Sequence, residues 1–104
     1  MRRARVYDDV DGYRILVDRL WPRGVARADG RVDAWERDLA PSTELRRDFH
    51  AGLSHEEFEA RYRAELEDKD LTVLDRPDAV LVTAARNEPN HVDVLLRVLE
   101  ERGA

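Results

Sequence analysis

Apolar residues are distributed along the chain in two different rhythms. In "YRILVDRLW", residues 13–21, Tyr13, Ile15 and Val17 fall on one side of an extended chain and Leu16 and Leu20 on the other. Both faces are apolar, which predicts a central strand. It is expected to end at Trp21, because Pro22 cannot continue a ladder and Gly24 permits a turn. "AVLVTAA", residues 79–85, is a bounded run rich in β-branched residues and predicts a second central strand. Before the first of these, "RRARVYDD" alternates briefly, and Asp11–Gly12 is a turn signal that predicts a hairpin-like link into Tyr13.

Three other segments carry helical spacing. Ser42 or Thr43 caps a short helix with Leu45 and Phe49 at i, i+4. Ser54 and Glu57 match a capping box ahead of the stripe Phe58, Tyr62, Leu66. Asn90 precedes a helix whose apolar face is Val92, Leu95, Leu96 and Leu99, with Gly103 near its end. Residues 25–41 lack sustained periodicity and predict a long connection with one helical turn near 33–38, and "LTVLDRPD" fits a short helix or a strand until Pro77 stops either. The order β-β-α-α-β-α predicts a small α/β layered fold, a single domain over residues 1–104 with a short, mostly parallel central sheet flanked by helices.

Composition narrows the chemistry. With no cysteine, disulfides, thiolate metal sites and a cysteine nucleophile are excluded. No His/Asp/Glu cluster has metal-ligand spacing and no Gly-rich phosphate loop is present, so neither metal nor cofactor is expected. No apolar run approaches the ~20 residues of a membrane span, and "MRRARVYDD" has no apolar segment behind its arginines, so a cytoplasmic protein with no membrane partner is expected. The net charge is −5, unevenly spread: residues 1–31 hold eight Arg against five acids, residues 32–104 ten Lys/Arg against eighteen. Nucleic acid would be repelled by the bulk and could meet only the N-terminal third, through Arg2, Arg3, Arg5, Arg27 and Arg31.

Ligands of open α/β sheets bind beyond the carboxyl ends of the strands. Both central strands end in charge: Asp18, Arg19 and Arg23 after one, Arg86 and Asn87 after the other. If the strands are parallel neighbours these groups converge, next to a helix N-terminus at Asn90 and His91 whose free amides favour an anion. The expected ligand is a small phosphate-bearing or carboxylate molecule, held by Arg19, Arg23 and Arg86, with Asp18 and Asp38 orienting the arginines. His91 is the candidate proton-transfer group, and turnover is left open. Each residue also has a structural reading: Asp18 as half of an ion pair closing the sheet edge, His91 as a polar cap, Asp38 and Ser42 as the local cap of a helix. A competing function is a non-catalytic interaction module built on Trp21, Trp35 and the long loop.

"VDRLWPRG", then Trp35 and "DLAPS", then "TAARNEPNH", occur in an order that resembles the YeaO-like branch of domain-of-unknown-function family 488 over essentially the whole chain. The resemblance implies an α/β domain with a shared cluster of Asp18, Arg19, Arg23, Asp38, Ser42, Arg86 and His91. Some members outside the branch carry cysteine where this chain has Thr83 and Asn90, so a thiol mechanism does not transfer.

Overall fold

The computed structural model describes residues 1–103. Four parallel strands, β1 (Arg2–Arg5), β2 (Tyr13–Leu16), β3 (Ala34–Trp35) and β4 (Ala79–Thr83), form one sheet in the order β1-β4-β2-β3. Three helices complete the fold: α1 (Thr43–His50), α2 (His55–Leu66) and α3 (His91–Gly103). It is a small α/β fold with a parallel central sheet, as the periodicity predicts. None of the described helices is long and apolar enough to cross a membrane.

Each inner strand is buried for a visible reason. β4 lies between β1 and β2 and all five of its residues are buried. In β2, Ile15 joins the helix-side core and Leu16 the opposite one, the two-sided burial read from the sequence. Leu45 of α1, the predicted stripe Phe58, Tyr62 and Leu66 of α2, and Val92, Val94, Leu95 and Val98 of α3 all pack on the Ile15 side. The opposite face, with Val6, Leu16, Val25, Val80 and Val82, is covered by loops carrying Val10, Trp21 and Val32. One-sided helical cover gives a slab of 35 × 34 × 21 Å.

Several expectations are corrected. β1 and β2 form no hairpin: β4 inserts between them, and residues 6–12 cross the loop-covered face with Val6 and Val10 packed beneath. Gly12 matters for close approach, since at φ +123° a Cβ there would stand 2.5 Å from the carbonyl oxygen of Asp78. β2 ends at Leu16, not Trp21, because the chain leaves the ladder after the Val17 amide makes a last bond to the Val82 carbonyl, and Leu20 is 64% exposed instead of apolar-facing. β4 likewise stops at Thr83. The long connection contains β3 and two short 3-10 turns, Arg27–Asp29 and Arg37–Leu39, and a third 3-10 turn at Thr72–Leu74 resolves the ambiguous segment by burying Leu71 and Leu74. Ser42 and Ser54 cap α1 and α2 through the amides of Leu45 and Glu57.

Candidate functional site

β2 and β4 are parallel neighbours in register, Ile15 opposite Leu81 and Leu16 opposite Val82, so their carboxyl ends open side by side. The residues that follow line an open cleft of about 810 Å³ that extends between the 18–23 loop, the 83–91 loop and the corner between α1 and α2.

At its base, Asp18 is held on three sides. Its carboxylate accepts from the Thr83 hydroxyl at 2.7 Å and the Ala84 amide at 2.7 Å, and lies 3.1 Å from His91 Nε2. The same Nε2 is 3.0 Å from the Val17 carbonyl oxygen, so two acceptors fix a proton on that nitrogen. Burial pushes the Asp18 carboxyl up, but His91, the Ala84 amide and the Thr83 hydroxyl outweigh it and bring the group below its ordinary range. Both side chains are 14% exposed. Asp18 therefore ties β2 to β4 and α3; no arginine pairs with it among the described residues.

Arg19 turns away toward the backbone. Its guanidinium donates to the carbonyls of Ala40 at 3.0 Å and Pro41 at 3.4 Å and sits 3.6 Å from Asp38, whose side chain is 81% exposed. Ser42 is spent on structure: its hydroxyl accepts from the Leu45 amide and donates to Glu65 at 2.6 Å, while its own amide also reaches Glu65 at 2.9 Å. Glu65 was not singled out from the sequence, where nothing marks it apart from other helical acids.

The expected anion seat at the start of α3 is occupied. Asn90 Oδ1 accepts from the Val92 amide, Asp93 accepts from the Asn90 amide at 2.7 Å, and Arg3 pairs with both Asp93 and Glu88. The 84–90 loop is different: the amides of Arg86, Asn87 and Glu88 have no partner among the described residues, and Asn87 offers its carbonyl to Asn90.

Of the arginines, Arg23, Arg46, Arg47 and Arg86 make no side-chain hydrogen bond, ion pair or ring contact among the described residues, and three of these four line the cleft. The acids that share the cleft are already paired: Asp18 with His91, Glu59 with Arg63 and Arg97, Glu88 with Arg3. Of the expected site residues, Asp18, Arg19, Arg23, Arg86, Asn87 and His91 line it, whereas Asp38 and Ser42 lie outside. Arg46 was missed. Its only sequence signal is its place one turn before Phe49 on the same helical face.

The features behind the competing functions are engaged internally. Trp21 and Trp35 meet edge to face at 5.4 Å and donate their indole N–H groups to Val25 and Asp18 carbonyls, while Arg27 covers the Trp21 ring at 4.2 Å. Arg2 and Arg5 reach backbone carbonyls, Arg3 pairs with acids, and Arg31 donates to Tyr7.

Comparison with known proteins places these features in a family. The model of the "Inactive DUF488-N3 subclade" matches residues 1–104. The chain is 43% identical over 102 residues to the uncharacterized protein YeaO of Escherichia coli, covering 88% of this chain and 89% of that protein. It is 42% identical over 112 residues to the uncharacterized protein Rv3073c of Mycobacterium tuberculosis, covering 98% of this chain and 95% of that one. No solved structure matches.

Proposed function

The chain belongs to the inactive DUF488-N3 subclade, and from that premise we propose that it binds a small anionic molecule at the strand ends without turning it over. The observation that carries this reading is the set of unpartnered guanidiniums, Arg23, Arg46 and Arg86, around one cleft in a chain of net charge −5. A planar guanidinium matches phosphate or carboxylate in bidentate geometry. The free amides of Arg86, Asn87 and Glu88 add backbone donors on the same side.

The surroundings of His91 support binding without turnover. His91 Nε2 is committed as a donor between the Val17 carbonyl and the Asp18 carboxylate, so that nitrogen is not free to take a proton as a general base. The nearby hydroxyl of Thr83 donates to Asp18, and the Ser42 hydroxyl is committed to Glu65 and the α1 cap. Asp18 and His91 thus form the wall that sets the two strand ends against α3.

Thermal unfolding with phosphate, pyrophosphate and citrate tests the reading. A ligand at 100 times its Kd stabilises the native state by about 2.7 kcal/mol. For a chain of this size that is a rise of roughly 10 °C or more. The rise is expected to vanish in Arg86→Ala while that variant alone melts like the parent. No shift with any anion overturns the proposal.

A further inference from the structure

Resting on that anion site, we infer that its ligand is a free mononucleotide, a phosphate ester whose heteroaromatic ring stacks at the α1–α2 corner. A bare anion would use only part of the cleft. Its far wall is aromatic: the Phe49 ring lies 5.1 Å from the His55 ring, nearly perpendicular to it, and 4.7 Å from the Phe58 ring. His50 follows Phe49 on the same wall, and all three histidines of the chain line this one cleft. Phe58 is buried, but Phe49 is half-exposed and His50 and His55 are exposed, so ring surface is open to a ligand.

The two halves of the site are joined on one element. Arg46 and Phe49 stand one turn apart on α1, which places an unpartnered guanidinium and a ring face on the same side. Arg86 and Arg23 approach from the strand ends. The volume of about 810 Å³ lies within the ~300–1,000 Å³ range of small-molecule sites. It exceeds what phosphate or a small carboxylate fills. Stacking tolerates any base, because every base has a π face. A chain of net charge −5 repels a polynucleotide more than a single nucleotide, which favours the free form.

Calorimetric titration of the full chain with adenosine monophosphate, ribose phosphate and an oligonucleotide bearing a terminal phosphate tests the inference. Adenosine monophosphate is expected to bind at least about fivefold tighter than ribose phosphate, the lower end of what one base stack supplies. Phe49→Leu, which keeps apolar volume but removes the ring, should erase that preference and leave ribose phosphate affinity unchanged; Arg86→Ala should weaken both esters alike. His55→Ala, at an exposed position, provides the same readout if Phe49→Leu does not fold. Equal binding of the two esters, or a preference that survives both ring variants, overturns the nucleotide assignment and leaves the anion site standing. Tighter binding of the oligonucleotide overturns the free-nucleotide form. If neither ester binds, the anion site itself falls, and this inference with it.

Discussion

Asp18 joins separate parts of the fold, because donors from Thr83, Ala84 and the start of α3 converge on its carboxylate. Removing it in Asp18→Ala takes the acceptor away from the Ala84 amide and the Thr83 hydroxyl and leaves the His91 N–H with the Val17 carbonyl alone, at the part-buried base of the cleft. The expected loss is about 3 kcal/mol, measured as a shift in the urea midpoint. The pH dependence has a definite sign. The folded carboxyl lies below its unfolded value of about 3.9, so its stabilisation is fully present above that value and is lost as pH falls through the lower folded one. Urea unfolding at graded pH should therefore show a parent curve that steepens below about pH 4 and a flatter Asp18→Ala curve over the same window. The arginines divide in the same terms. Arg19 satisfies two carbonyls at the turn before α1, so Arg19→Ala is expected to cost about 1.5–3 kcal/mol. Arg86 holds nothing, and Arg86→Ala should stay within about 0.5 kcal/mol of the parent. Equal stabilities in the two variants would contradict this division.

The connection between β1 and β2 shows how a local signal can be read correctly and placed wrongly. Asp11–Gly12 looks like a hairpin turn, yet the glycine serves a crossover that brings its backbone against the Asp78 carbonyl and the Arg2 guanidinium. Gly12→Ala is expected to cost at least about 2 kcal/mol, combining a positive φ with a steric clash. Gly30 has φ +67° but open space around it, so Gly30→Ala should cost only about 1–2 kcal/mol from conformation alone, and thermal melts of the two variants should separate these contributions. The helices were legible because each carries its apolar stripe and cap within a dozen residues, as Ser54, Phe58, Tyr62 and Leu66 do. β3 was not, since two residues have no period to detect. The site was half legible for a related reason. Charges at the ends of β2 and β4 are visible in sequence, but Asp18 finds its partners 65 and 66 positions away, and no local pattern separates that pairing from one with the adjacent Arg19. Arg46 was hidden inside a helix whose caps and apolar positions absorb every local signal.

The two faces of the sheet are built to open at different free energies. β4 is paired on both edges and buried throughout, with three helices over one side, so its amides are expected to exchange with solvent only when the whole chain unfolds. For a domain of this size that means protection on the order of 5–15 kcal/mol. The opposite face is sealed by loops. The Arg27–Asp29 turn there has no buried residue, and its contacts include an exposed Asp29 cap and the Arg27 stack on Trp21. Native-state hydrogen exchange should find the amides of 26–30 opening several kcal/mol below those of Ala79–Thr83, and uniform protection would show that the loop cover is as cooperative as the helical one. The same experiment locates the ligand. The cleft is bounded by the 18–23 loop, the 83–91 loop and the α1–α2 corner, and Arg27–Asp29 does not line it. An anion bound there stabilises only states in which β2, β4 and the helices are assembled. Protection of the β4 amides should then rise with ligand concentration more than that of the 26–30 amides, which touch the cleft wall through the Arg27 stack on Trp21, a split that binding on the loop-covered face would reverse.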